Sequence, residues 1–432
     1  MHYALICDFF VSMTNEEPNR LTEHNIRHKK IDKDALRVLR RLHDYGFYAY
    51  LVGGSVRDLL IGRKPKDFDV VTSAQPREIK RLFRRCRLIG RRFRLAHIMG
   101  EQGKIIETAT FRAKPKNIER GQIIFDDNQF GTPRSDALRR DFTVNALFYD
   151  ADRDEVIDYV DGLADLEARI LRTIGDPVTR FREDPVRMLR AIKFSARLGF
   201  SIEGQTRAAI LSERAEIGKA ALPRLYEELV RLAGGGACEA SIQLMQDLRL
   251  LEILIPELAA ALTLADSSGY QQAAKLFSAL DNYVHNGHTT QNGVLLAVLM
   301  WPVIESVINS LAEPVKPGRL RPLVEELTRP IAIRVCIPRR VMETTVILLT
   351  TQLRADRMFA KEQSREALAR SPHYGSTLEF ARLRAHAGQL SPELVSQWQR
   401  LEQQWPPDLE AGNSRSNRRK GGHRRGRRQR RQ

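Results

Sequence analysis

Gly53-Gly54-Ser55-Val56-Arg57-Asp58, followed nine residues later by Asp67-Phe68-Asp69, constrains this chain more than any other stretch. The aromatic and β-branched run from Phe47 to Val52 predicts a strand. The glycine pair breaks it, and Val56 to Ile61, with Gly62 as its stop, predicts a short helix. A helix starting there offers free backbone N–H groups to an anion, and glycine, lacking a Cβ, lets phosphate come close to the main chain. Phe68 to Thr72 reads as the next strand. Side chains alternate faces along it, so Asp67 and Asp69 project together while Phe68 and Val70 enter the opposite layer. Two carboxylates so placed repel by roughly 1 kcal/mol at ~4 Å even with water-like screening, and a divalent cation turns that repulsion into coordination.

Flanking segments extend the pattern. Ala35, Leu36, Leu39 and Leu42 predict a helix over residues 32 to 45, with Asp32 or Asp34 as cap and Gly46 as stop. Ile105 to Phe111 alternates, placing Ile105, Glu107 and Ala109 on one face; Glu107 is either a strand residue paired with an arginine or a member of the acidic cluster. In Arg139-Arg140-Asp141-Phe142-Thr143-Val144-Asn145-Ala146, Asp141 and Asn145 fall at i and i+4 of an expected helix, and Arg140 with Asp141 could hold a phosphate and a metal or ribose. Further on, Asp184 followed by Pro185 has the grammar of a helix start, with Asp184 as N-cap. Arg187 and Arg190 follow near the same face. An acid and an arginine so placed can also read the edge of a base, one accepting and the other donating hydrogen bonds.

Composition narrows the partners. A formal charge of +17 over 432 residues points to a polyanion, because cationic side chains on phosphates release condensed counterions. Ten of those charges lie between Arg415 and Arg431, including Arg418, Arg419, Lys420, Arg424, Arg425, Arg427 and Arg428. Cys7, Cys86, Cys238 and Cys336 stand too far apart in sequence for a zinc motif, which implies free thiols in a reducing compartment. Met1 to Met13 is apolar but lacks a basic leader, contains Asp8 and is too short to span a bilayer, so a cytoplasmic chain without a membrane span is expected. No heptad seam is evident, which makes monomer the default.

LVGGSVRDLL (51 to 60), KDFDVVT (66 to 72), IIETATFR (105 to 112), RRDFTVNALFY (139 to 149) and FREDPVRMLRAIKFSARLGF (181 to 200), in this order, resemble the class II nucleotidyltransferases, which comprise bacterial poly(A) polymerases and CCA-adding enzymes. Leu88 to Ile98 is similar to the signature that separates the poly(A) polymerases from their CCA-adding relatives. The resemblance implies an α+β chain with a polymerase-beta-like palm over residues 31 to 175 after an N-terminal extension (1 to 30). A helical neck with the base reader (176 to 235), a helical RNA-binding body (236 to 407) and a disordered arginine-rich tail (408 to 432) follow. It implies metal-binding and catalytic roles for Asp67 and Asp69, with Asp141 in the active-site set and either Asp141 or Glu107 as the further acid. Gly53, Gly54, Ser55 and Arg57 match the triphosphate loop, Arg140 and Asn145 lie in the nucleotide-binding block, and Asp184 with Arg187 matches the base-reading pair. Ser55 stands where a third glycine is frequent, and Ser135 where the family often has an acid.

The implied reaction is attack of an RNA 3′-hydroxyl on the α-phosphorus of ATP with two Mg2+ ions, giving a poly(A) tail. A CCA-adding tRNA nucleotidyltransferase shares every palm block, and a non-catalytic RNA-binding adaptor on a decayed fold is a rival of another class. From Ile202 to Pro406 the chain predicts helices, among them Ala240 to Leu251, Val341 to Leu353, and Pro392 to Gln404 with Ser391 as cap. The Gly/Arg/Gln-rich run beyond Pro407 cannot form a core, and its arginines are available to phosphates and bases. Deleting residues 413 to 432 should therefore weaken RNA binding and flatten its dependence on salt, and filter binding across a salt series checks the slope.

Overall fold

The computed structural model describes residues 17–90, 95–113, 129–264, 267–354 and 362–404. These fall into two units, one of residues 1–228 with 240–253, the other of 229–239 with 254–432. The first unit holds an eight-stranded sheet, with β1 (Asn19–Leu21), β2 (Ala49–Val52), β3 (Asp69–Thr72), β4 (Cys86–Ile89), β5 (Leu95–Met99), β6 (Ile105–Thr110), β7 (Phe148–Asp150) and β8 (Glu155–Asp158). Their order across it is β1-β8-β7-β2-β3-β6-β5-β4. Among the described residues of this sheet, only the β3–β6 pairing is parallel.

Local chemistry places the elements that carry the site. Asp32 caps the helix Lys33–Asp44, its carboxylate accepting from the Asp34 and Ala35 amides. Val38, Leu39 and Leu42 of this helix are buried, and it packs on β2, β3 and β6. The strand at β2 ends at Gly53, whose φ of 73° and ψ of −131° suit glycine alone, and the helix Gly54–Leu60 starts immediately after. Beneath the turn, Tyr50, Phe111 and Phe148 meet edge-on or tilted in an apolar cluster with Val52, Val71 and Ile157.

Two expected elements differ. Residues 141 to 145 are not an α-helix: Phe142 is extended and bridges Thr173, and a single 3-10 turn, Thr143–Asn145, follows. Ala240 to Leu251 is split into Cys238–Asp247 and Leu251–Leu254, because Arg249 takes φ +54° and the Leu250 amide turns back to the Met245 carbonyl, closing the first helix. The helix Pro392–Gln404 matches its expected limits, with the Ser391 hydroxyl accepting from the Leu394 amide.

The second unit is helical among its described residues. At its centre lies Asn292–Ser310, with every residue from Gly293 to Ile304 buried. Helices Pro256–Leu264, Ser267–His285, Pro317–Arg334, Arg339–Leu353 and Tyr374–His386 pack around it. It is long and apolar enough to cross a membrane, but 67% of its apolar window is buried inside the protein, as in the core helix of a helical bundle.

Phe148 links this packing to the loops above, since it is fully buried and the Arg140 guanidinium lies 5.6 Å over its ring. Phe148→Ala should cost about 3–5 kcal/mol through the lost contacts and the cavity, measured by denaturant titration, and should loosen Arg140 as well.

Candidate active site

The register of β2, β3 and β6 assembles the centre of the site. Val52 pairs with Asp69, so the glycine turn following Val52 abuts the first residue of β3, and parallel pairing of Val70 with Thr108 sets Asp69 beside Glu107. The pleat works as expected: Phe68 and Val70 are buried, while Asp67, Asp69 and Glu107 are exposed. Asp69 is the exposed residue of β3, whose other residues, Val70, Val71 and Thr72, are buried. Its carboxyl is pushed up to about 6, first by removal from water and then by the charge of Glu107, with Asp67 adding to the repulsion and Arg140 opposing it. Glu107 therefore stands with the acids, and His97 Nε2 lies 3.6 Å from its Oε1.

These acids suit a hard divalent cation. The repulsion that raises Asp69 is what a bound cation would relieve, and all the donors are carboxylate oxygens. Among the described residues no group of three His, Cys, Asp or Glu side chains is already gathered around one metal-binding point.

Arg140 stands over the glycine turn. A Cβ on Gly53 would come within 3.3 Å of its Nη1, so a side chain there would press on Arg140 as well as meet the strain of the positive φ. Asp136 holds the guanidinium, accepting from Nε at 3.0 Å and Nη2 at 2.8 Å. Arg112, Arg140, Arg180 and Arg187 gather around Arg139; burial together with these four guanidinium neighbours brings Arg139 down to about 9. Such a concentration of positive charge suits a polyphosphate.

The other expected residues are used differently. The Ser55 hydroxyl donates to the Val52 carbonyl at 3.2 Å and is buried, so it braces the turn. Arg57 is buried, donating to Asp58 through Nε at 2.9 Å and Nη2 at 2.7 Å and to Asn145 Oδ1 through Nη1, with its guanidinium 5.3 Å over Phe194. Ser135 pairs with Thr132 in a capping box at the start of the helix Pro133–Arg139. Asp141 accepts from the Phe142 amide at 3.0 Å, Asn145 Nδ2 at 3.3 Å and Arg190 Nε at 2.7 Å. The Arg190 guanidinium and Asn145 hold its carboxyl down at about 2 despite burial. Glu228 accepts from Lys193 at 2.5 Å and lies 3.5 Å from Arg190, closing the network.

Asp184 is not the helix cap that the Asp-Pro pair predicts. It closes the preceding helix, Pro177–Glu183, and Pro185 stands at the cap of Val186–Leu198 in α conformation without a side-chain cap bond. Its carboxylate is taken instead by Arg224, which donates through both terminal nitrogens at 2.9 and 2.8 Å. Arg187 Nε lies 3.9 Å from Asp184, and its Nη1 donates to the Arg180 carbonyl at 2.9 Å. Residues 91–94 of the 88-to-98 signature and the arginine tail lie outside the described residues.

Residues 49–172 match the family described as Poly A polymerase head domain, 199–262 that described as Probable RNA and SrmB- binding site of polymerase A, and 324–432 the Polymerase A arginine-rich C-terminus. Poly(A) polymerase I of Salmonella typhimurium is 36% identical, over 89% of this chain and 83% of the relative. The chain belongs to the bacterial poly(A) polymerase family. Poly(A) polymerase I of Escherichia coli O6:H1 is also 36% identical, over 89% of this chain and 86% of its own length. A CCA-adding enzyme of Bacillus velezensis is 37% identical, but over 51% of this chain and 55% of its own. Among solved structures, the Bacillus stearothermophilus CCA-adding enzyme in complex with CTP aligns with a TM-score of 0.61 at 24% identity, over 86% of this chain and 82% of that one, which shows a shared fold.

The Asp141 carboxylate carries a testable linkage. Its folded pKa lies below the ordinary 3.8, so it stabilises the fold above about pH 4 and the contribution fades as pH falls toward about 2. Asp141→Asn should cost about 2 kcal/mol near neutral pH, and urea titrations should show the gap to wild type closing in acid.

Proposed function

We propose that this chain adds AMP from ATP to RNA 3′ ends without a template, as a polynucleotide adenylyltransferase, at the cleft formed by the glycine turn, Asp67, Asp69 and Glu107. The repulsion among these acids beside an arginine-rich wall carries the reading, because that pairing of charges fits a metal–triphosphate. Asp67, Asp69 and Glu107 would hold Mg2+, the cation that carboxylate and phosphate oxygens favour. When bound, it supplies Lewis acidity and charge neutralisation for nucleotidyl transfer.

The chain's own residues do the positioning. Gly53 and Gly54 leave the main chain open to the phosphates, and Arg140, with Arg139 and Arg112 behind it, neutralises them. Asp184 and Arg187 face the base: the carboxylate accepts from an exocyclic amine and the guanidinium donates to the adjacent ring nitrogen. Arg224 keeps Asp184 oriented through its two hydrogen bonds. Asp141 acts as a positioning residue through Arg190, Asn145 and Arg57, joining the palm to the helix Val186–Leu198. The arginine tail holds RNA, and the protein works in the cytoplasm as a monomer.

Adenine and cytosine present the same amine-and-nitrogen pair to Asp184 and Arg187, so base reading alone leaves tailing and CCA addition equal. Length of likeness favours tailing, since the poly(A) polymerase relatives match 89% of the chain and the CCA-adding relative 51%. With an oligoadenylate primer and magnesium, ATP alone should give a long ladder, whereas one to three additions that require CTP would mark a CCA-adding enzyme. Asp67→Ala and Asp69→Ala should each lower tailing by roughly three orders of magnitude or more while leaving RNA binding and folding nearly intact. Retained polymerisation by either variant would remove the assignment, and no incorporation by wild type would favour an RNA-binding adaptor.

A further inference from the structure

The palm carries a second basic surface on the other face of its sheet. Ile106 and Glu107 are neighbours on β6 and so point oppositely; Ile106 is buried, whereas Glu107 lies on the open face with Asp69. On the Ile106 side, a cleft of about 510 Å³ opens between the helix Lys33–Asp44 and the segment around Arg81 to Arg85. Its floor is apolar, formed by Val38, Phe83, Ile98 and Ile106, and its rim holds six arginines against Asp34 and Asp44.

The rim's charge is mostly unspent. Arg37 is neutralised, 3.0 Å from Asp34 and 2.9 Å from Glu101. Arg41 stacks 5.7 Å over Phe83. Arg40, Arg81, Arg84 and Arg85 are exposed, and none has a carboxylate partner among the described residues. An ordinary solvated arginine surface is interleaved with acids; this one encloses an apolar hollow.

We infer that the cleft is a second RNA-binding site, taking the single strand upstream of the 3′ end, with its phosphates on the rim arginines and a base against the apolar floor. RNA as the ligand rests on the tailing activity proposed above. The edge strand favours RNA over an acidic protein. On β4, Arg87 pairs with His97, which pairs with Glu107, so Arg87 lies in the row of the carboxylates on the open face. Arg84 and Arg85, just before it, line the cleft. Basic groups thus pass around the sheet's edge from one face to the other. A polyanion anchored by its end at Asp69 would follow that path, whereas an isolated acidic segment needs no such continuity.

The test uses the full chain without ATP. Arg40, Arg81, Arg84 and Arg85 are replaced together, all by Ala or all by Lys, and fluorescence anisotropy follows a long unstructured RNA and a short oligoadenylate across a salt series. The Ala variant should bind long RNA about tenfold or more weakly, with a log–log salt slope lower by about 3 for four lost phosphate contacts, and should bind the short oligomer as wild type does. The Lys variant should keep the slope, because a point charge still neutralises a phosphate. Unchanged affinity and slope for long RNA in the Ala variant would overturn the inference, as would an equal loss in both variants. Unaltered RNA binding with lost affinity for polyglutamate would assign the cleft to an acidic protein and also overturn it. These readouts need no catalysis, so a chain that passes them yet adds no AMP would sink the tailing activity alone.

Discussion

The pairing of β2, β3 and β6 is the constraint on which the site depends. Antiparallel pairing brings Val52 opposite Asp69, and parallel pairing brings Glu107 alongside it, so one strand junction sets the glycine turn, Asp69 and Glu107 in register. A slip of one residue would turn the carboxylates toward the side on which Phe68 and Val70 are buried. Phe68 and Val70 prevent it, since both are buried under the helical layer while the acids between and beside them face solvent. The packing that stabilises the palm thus also fixes the spacing of its acidic groups.

Around that junction the protein holds charges that are buried or half-buried. Arg57, Asn145, Asp141, Arg190, Glu228 and Lys193 form a chain of bonds from the glycine turn into the helix Val186–Leu198. Phe194 sits within it, with Arg57, Arg190 and Lys193 all within 5.3 Å of its ring. Removing one member leaves its partner buried and uncompensated, which costs more than the intact pair contributes. Such a network adds little net stability, but it allows few alternative arrangements. For nucleotidyl transfer, which depends on placing a phosphate, a hydroxyl and a base together, that restriction has functional value.

Much of this was legible in the sequence where the cause is local. The strand alternation that exposes Asp67 and Asp69, the Asp32 cap, the glycine turn and the helix Pro392–Gln404 all follow from residues within a few positions of one another. Failures came where a distant partner decides. The Asp-Pro pair at 184 and 185 carries the grammar of a helix start, but Asp176 and Pro177 had already begun the preceding helix, and Arg224, forty residues on, claims the Asp184 carboxylate. Asp141 and Asn145 have helical spacing, yet the bridge from Phe142 to Thr173 holds the chain extended. Glu107 could not be assigned from its neighbours, because its partners come from β3 and β5. The cluster of Arg112, Arg139, Arg180 and Arg187 was hidden for the same reason, its members lying on three separate segments; the Arg139-Arg140 doublet was its one local sign.

Charge balance explains why the acids and the arginines must occur together. RNA and a triphosphate are polyanions, and a cleft presenting three carboxylates alone would repel both. The acids are confined to one short row, and arginines stand on either side of it: Arg140 beside the glycine turn and Arg87 at the sheet's edge. On the proposed reading, a phosphate chain would meet positive charge until its terminal residue reached Asp69. A 3′ terminus would contribute a neutral hydroxyl where an internal nucleotide would bring another phosphate against the carboxylates, so the order of charges at the proposed site would favour the end of a strand before any base is read.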